Sequence, residues 1–404
     1  MQPYSDTFRA YRKAMHRVLG TKNSVAQFND LQEVEVRRFL LRVLESPTDL
    51  NQHIRTETGA VILKIAYGYN INPRGRDPLV ELANKALENF AVAATPGAWV
   101  VDTVPFLRYI PAWFPGAGFK RTAASWRDNL VETTEKPYRL VLQQMEQGTY
   151  PASFLSKLLE EAQGRQLTPK EEQVIKFSTA SLYAGGVDTT VSTISCFFLA
   201  MALYPAVQKK AQEELDRVIG PNKLPTFADR AKLPYIEAVV NESLRWHPVA
   251  PMGIPHMCTE DDAYEGYLIP KGSLVLPNIW TFTHDPSIYP NPTTFNPDRF
   301  LAPNAQPDPH NLTFGFGRRA CPGKILADAT VFLTIAKSLA VFDISVAGDG
   351  SADAAFLPGV ISHPVPYKLD IIPRSLDHEE VIRAVEREVP WEEGGGGDID
   401  GIVW

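Results

Sequence analysis

The sequence predicts a mainly α protein with small β-sheets, and three observations carry that expectation. Apolar residues recur at helical spacing through most of the first two thirds of the chain, and short strand-like runs come only later. A strong helix start, Thr168-Pro169-Lys170-Glu171, precedes a long stretch without a breaker. The 404 residues are 44% hydrophobic and 22% charged, an ordinary globular composition and enough to enclose a cofactor in a large core.

Taken in order, residues 25–44 and 54–67 show helical periodicity. Residues 96–118 are rich in Pro, Gly and aromatic side chains and read as a loop with short helical turns; a helix over 119–147 follows. In the clearest helix Thr168 caps, Pro169 takes the first position and Glu171 completes a capping box. No breaker appears until Tyr204-Pro205, so this helix is about 35 residues and roughly 50 Å long. Its apolar middle, 177–203, implies burial. A charged amphipathic helix over 205–218, stopped at Gly220, and another over 234–246, ended by Pro248, come next. Strands are expected at 267–269, 273–276 and 367–372, and a last apolar helix at 322–342. Residues 1–374 form one domain without repeat or linker. Residues 375–404 form an acidic tail, with a short charged helix, Gly394 to Gly397 and a polar, partly disordered end.

Nine carboxylates against Arg383 and Arg387 in that tail account for the whole net charge of -7. The balanced body offers no basic surface for nucleic acid. Cys196, Cys258 and Cys321 are sparse and odd in number, which fits a reducing compartment rather than a disulfide scaffold. Met1 to Asp6 carries no signal-peptide pattern, and the apolar run 191–203 is too short to cross a bilayer. A soluble, cytosolic monomer is the expectation for the chain as written.

The most specific chemistry lies in Phe314-Gly315-Phe316-Gly317-Arg318-Arg319-Ala320-Cys321-Pro322-Gly323. Cys321 stands just before a helix that Pro322 is suited to start, where unpaired amides and the positive helix end favour thiolate. The glycines permit a tight loop with amides turned toward the sulfur, and Arg319 offers a planar donor fork. The plain alternative is an inert cysteine in a glycine-rich turn.

A second segment, Gly185-Gly186-Val187-Asp188-Thr189-Thr190, sits inside the long helix. Two interior glycines cost roughly 1 kcal/mol each against alanine, so a compensating role is expected. Thr189 lies four residues after Gly185 and can compete for its carbonyl, opening the helix locally. Asp188 and Thr189, an acid and an alcohol side by side, can relay protons. Close packing at the glycines with Asp188 in a salt bridge is the alternative reading. Glu242-Ser243-Leu244-Arg245 places a carboxylate and a guanidinium on one helix face, a weak signal alone.

These segments together resemble the cytochrome P450 family. The first fits its haem-binding loop F-x-x-G-x-R-x-C-x-G at Phe314, Gly317, Arg319, Cys321 and Gly323. Glu242 and Arg245 match its E-x-x-R helix, and Phe295-Asn296-Pro297-Asp298-Arg299-Phe300 resembles the segment whose arginine, Arg299, completes a buried structural cluster. Residues 185–190 resemble the oxygen-binding motif (A/G)-G-x-(D/E)-T-(T/S). Phe8 to Lys13 resembles the W-R-x-x-R helix, with Phe8 in place of the indole and Arg12 as a propionate donor; His256 falls where a further propionate donor is expected. The segment order and the 114–118 loop look like fungal microsomal members.

The resemblance implies heme b (iron protoporphyrin IX) ligated by Cys321, a proton relay through Asp188 and Thr189, O2 as co-substrate and NADPH-cytochrome P450 reductase as partner. Substrate contacts are expected from 249–254, 359–362 and 182–186; all are largely apolar, so a hydrophobic small molecule is favoured. Cys196 and Cys258 are expected to pack as small buried residues. The family has an anchor, strands, two helices and a covering loop ahead of its W-R-x-x-R helix, which here starts at residue 8. The expectation is therefore a fold incomplete at the N-terminus, with an open sheet edge near 273–276 and weak haem retention; a longer form would sit on the endoplasmic reticulum membrane. Two rivals remain: a haem-thiolate enzyme that does not use O2, against which the Asp188-Thr189 pair argues, and an inactive haem-binding fragment.

Overall fold

The computed structural model describes residues 2–95, 97–162, 165–348 and 354–403. Pro96, the expected start of the loop, lies outside them. The chain divides into two compact units, the first of residues 1–191, 322–330 and 379–404 and the second of 192–321 and 331–378.

The first unit is helical. Ser5 caps α1 (Asp6–Leu19), and a Thr21/Ser24 capping box starts α2 (Lys22–Ala26). The expected helix over 25–44 is interrupted at residues 27–28 and continues as α3 (Asn29–Glu45). α4 (Leu50–Tyr67) packs on α3 and ends at Gly68, whose φ of 73° lies in the left-handed region that favours glycine. α5 (Pro78–Ala93), not among the expected helices, is capped by Asp77, whose Oδ1 accepts from the N–H groups of Leu79 and Val80 at 3.0 and 3.1 Å. Among the described residues of the 96–118 stretch, one α turn, α6 (Val100–Thr103), and a 3-10 turn over Pro105–Tyr109 precede the next long helix. α7 (Gly118–Gln147) runs through Pro137, and α8 (Phe154–Glu160) packs on α4. α9 (Pro169–Gly186) has the foreseen capping box, and α10 (Asp188–Leu203) follows after a break at Val187. The stretch Pro169–Leu203 is long and apolar enough to cross a membrane, but 72% of its most apolar window is buried in the protein, as in a core helix.

In the second unit α11 (Pro205–Val218) packs on α12 (Pro234–Trp246). Four short strands follow: β1 (His256–Met257), β2 (Asp262–Tyr264), β3 (Tyr267–Ile269) and β4 (Leu274–Val275). α13 (Ile279–His284) and α14 (His310–Thr313) flank an irregular stretch, and α15 (Lys324–Val341) is the last apolar helix. It gives way to β5 (Phe342–Val346), a strand not foreseen, which pairs with β6 (Leu369–Pro373). Among the described residues the strands form three antiparallel pairs, β1–β4, β2–β3 and β5–β6. Met257 and Leu274 on the β1–β4 pair are each 64% exposed.

The tail departs from the expectation of disorder. α16 (Leu376–Glu388) is the foreseen charged helix, but α17 (Gly396–Asp400) is ordered against α5 and α7, with Ile399 fully buried. Composition suggested a solvated end; the glycines instead let the backbone lie directly on Tyr69 and Asn72.

His247, at the end of α12, is buried, stacked on Phe356 at 3.5 Å and bonded through Nε2 to Ser362 Oγ at 2.8 Å. Burial, then the neighbouring His284 and His363, push its pKa from 6.5 down to about 4. Between those values the unfolded chain takes up the proton and the folded one does not, so its contribution to stability is lost as pH falls through this window. Urea midpoints at pH 7 and pH 5 should fall further for the native chain than for His247→Asn; equal falls would refute this.

Candidate active site

Cys321 is presented by a closed turn after α14. Its N–H donates to the Phe314 carbonyl at 2.8 Å, and those of Ala320 and Arg319 donate to Gly317 and Phe316 at 3.1 and 3.2 Å. Gly315 at φ 73° and Gly317 at φ 55° occupy the left-handed region this reversal requires. Cys321, Phe316 and Arg319, all on this turn, are exposed residues. A thiol, an aromatic face and a guanidinium on one turn fit the chemistry of a flat apolar macrocycle with a central iron and peripheral carboxylates. One expectation is corrected. The helix starts at Lys324, not Pro322, with the Gly323 carbonyl accepting from Ala327 N–H at 2.9 Å. The helix end therefore opens three residues beyond Cys321, and amides close to the sulfur must come from the turn itself.

Glu242, Arg245 and Arg299 come together as one buried cluster. Arg245 grips Glu242 through Nε and Nη2 at 2.7 and 2.8 Å, and Arg299 Nε reaches Glu242 Oε1 at 3.1 Å. No side chain of the three is more than 2% exposed. Their other donors satisfy carbonyls: Arg245 binds those of Thr283 and Pro292 at 2.9 and 2.8 Å, and Arg299 binds that of Pro290 at 3.1 Å. Because α12 also packs on α14, the cluster is tied to the element that leads into the cysteine turn. Buried charge satisfied this fully behaves as a rigid fixture.

In the first unit the α9–α10 break is held by hydroxyls. Thr189 Oγ1 donates to the Gly185 carbonyl and Thr190 Oγ1 to that of Gly186, both at 2.8 Å. The two glycines have separate reasons. A Cβ on Gly186 would lie 2.9 Å from Ile62 Cδ1, so α4 packs there; one on Gly185 would meet nothing within 4 Å. Arg55 on α4 binds Asp188 Oδ1 through Nη1 at 3.0 Å, in a pair only 23% and 14% exposed. Packing at one glycine and an ion pair at Asp188 thus coexist with an open face at Gly185.

That face borders a cavity of about 660 Å³ walled by α4, α5, α7 and α9. Tyr183, Ala184 and Gly185 line it, as does Phe90, with Asn89 and Thr133 among the few polar side chains. α5 was not among the expected helices, so one of these four walls was not foreseen. Arg55 was missed too, since a lone arginine on a helix carries no motif.

Other candidates are more scattered. Arg12 is half-buried on α1, which packs on α9; His256 is exposed on β1, paired with Val275. Segments 249–254 and 359–362 meet, with Ser362 N–H donating to the Val249 carbonyl at 2.8 Å. Cys196 is buried, which pushes its thiol pKa up, whereas Cys258 is only half-buried.

The family model described as cytochrome P450 matches residues 4–371, and the chain belongs to that family of haem-dependent monooxygenases. Among its relatives are the cytochrome P450 monooxygenase claR of Ampulloclitocybe clavipes, 50% identical over 95% of this chain and 72% of the relative, and the O-methylsterigmatocystin oxidoreductase of Aspergillus flavus, 45% identical over 97% and 75%. A zebra fish cytochrome P450 solved with abiraterone superposes with a TM-score of 0.71 at 25% identity, covering 92% of this chain and 83% of that one.

Removing the carboxylate from the buried cluster should strand two arginines. Glu242→Ala is expected to cost about 3–5 kcal/mol in denaturant unfolding, with loss of bound haem. A cost below about 1 kcal/mol would show that the cluster does not hold the turn.

Proposed function

We propose that this chain inserts one atom of O2 into a hydrophobic small molecule, with Cys321 as the thiolate ligand of heme b. The placing of Cys321 on its glycine turn, inside a motif matched at all five fixed positions, carries this reading. When bound, the haem supplies the redox chemistry of O2 activation, which a thiolate ligand favours by donating electron density toward O–O cleavage. Phe314, Gly317 and Gly323 shape the turn; Arg319, with Arg12 and His256, offers donors to the propionates.

Thr189 and Asp188 handle protons. Thr189 already carries its hydroxyl at the open helix face, held by the Gly185 carbonyl, and Asp188 is fixed next to it by Arg55. An alcohol and a carboxylate so placed are suited to pass protons along this face of the helix. The cavity bordering Gly185, lined by aromatic and aliphatic side chains, accepts the substrate by apolar burial. The electrons come from an NADPH-cytochrome P450 reductase, as the family uses a partner of this kind. An endoplasmic reticulum location and a role in fungal secondary metabolism rest on the kinship with fungal monooxygenases such as the O-methylsterigmatocystin oxidoreductase.

Reduced protein under carbon monoxide should show the red-shifted Soret band of a thiolate complex, and Cys321→Ala should abolish it; a band that persists in the variant would overturn the ligand assignment. Thr189→Ala should keep haem and substrate binding while product formed per NADPH falls about tenfold or more, the electrons appearing as hydrogen peroxide. Unchanged coupling would remove the hydroxyl from the relay.

A further inference from the structure

The tail beyond the family match contacts the helices that wall the cavity. Gly395 N–H donates to the Asn70 carbonyl at 2.9 Å, and a Cβ on Gly395 would lie 2.6 Å from Tyr69 Cε2. Glycines 394 and 396 lie equally tight against Asn72, since a Cβ on either would clash with its Oδ1. Ahead of them Arg38 Cζ stacks over Trp391 at 4.4 Å, and Glu392 binds Lys64 and Asn70 at 3.1 and 2.7 Å. After them Ile399 is buried where α17 packs on α5 and α7, and Arg139 on α7 donates to the Val403 carbonyl at 3.3 Å.

This docking connects to the start of α5. Tyr69, pressed by Gly395, donates its hydroxyl to Asp77 Oδ2 at 2.9 Å, and Asp77, buried, caps α5 with Oδ1. Burial along the two cavity helices is one-sided. On α5 only Leu79, Val80 and Ala83 are buried, and on α7 only residues from Thr134 onward. Phe90 at the far end of α5 is 49% exposed and Leu130 on α7 is 57% exposed. Each helix is therefore anchored at one end, α5 at its start and α7 in its later half; the tail grips Tyr69 below the first and Arg139 in the second.

We propose that residues 391–403 brace the anchored ends of α5 and α7 and thereby set the width of the cavity between them, with Tyr69, Gly395 and Ile399 as positioning residues for substrate selection. This rests on the cavity being the substrate site. An unbraced α5 loses the fixed geometry of its cap and swings, so the cavity admits ligands less selectively and holds them less tightly.

The test uses the full haem-loaded chain and its variants Gly395→Val, Ile399→Asp and Tyr69→Phe. Hydrogen exchange should quicken by about tenfold or more at the start of α5 and in residues 137–147, and stay unchanged in α1 and α12, which the tail does not touch among the described residues. Fluorescence titration with pyrene should weaken several-fold while haem content holds. Tyr69→Phe, which keeps the ring under Gly395 and removes only its bond to Asp77, should quicken α5 alone. Unchanged exchange in α5 and α7 would overturn the proposal, and so would acceleration shared equally by α1 and α12, which marks a general loss of stability. If native protein fails to bind pyrene, the assignment of the cavity as substrate site falls, while the exchange data still decide the brace.

Discussion

Glu242 is a carboxylate with no access to water, and much of the second unit is arranged around that fact. An ion in such a place needs its charge met and every lone pair occupied. Arg245 and Arg299 meet the charge, the Asn296 N–H adds a further donor at 2.7 Å, and the spare guanidinium donors take the carbonyls of residues 283, 290 and 292. An irregular stretch with little regular secondary structure is thereby given one conformation. The cysteine turn inherits that rigidity through α14, so a site built on loop residues behaves as though mounted on a helix.

The first unit solves a different problem. A helix that must present a polar face inside a packed core has to give up backbone bonds without leaving carbonyls unpaired. Thr189 and Thr190 take the carbonyls of Gly185 and Gly186, so the break at Val187 costs few hydrogen bonds. Glycine at 186 admits α4 to close range, and glycine at 185 leaves open space beside the cavity. One sequence of six residues therefore serves packing on one side and access on the other.

Much of this could be read from residues alone where the physics is local. The Thr168 capping box, the stops after α4 and α11, and the Thr189 to Gly185 bond depend on neighbours a few positions away. The Glu242-Arg245 spacing was legible, but its burial and its junction with Arg299 across 57 residues could be inferred only by resemblance. α5 was legible too, since Leu79, Val80, Ala83, Leu87 and Phe90 keep helical spacing behind the start signal Asp77-Pro78, yet it was not among the expected helices. The start of α15 was misplaced by two residues because Pro322 suits a first helical position yet here lies in the preceding turn. The tail misled most: four glycines and an acidic surplus look like solvated chain, and nothing in composition tells glycine chosen for freedom from glycine chosen for closeness.

The sealing of Cys196 has a practical side. It is buried in the core, and that burial pushes its thiol pKa up, so the sulfur stays protonated and unreactive while the fold holds, whereas Cys258 is half covered. A thiol reagent can therefore reach Cys196 only when the chain opens. The rate at which that one sulfur is alkylated becomes a built-in clock for unfolding, read by mass spectrometry without any added label.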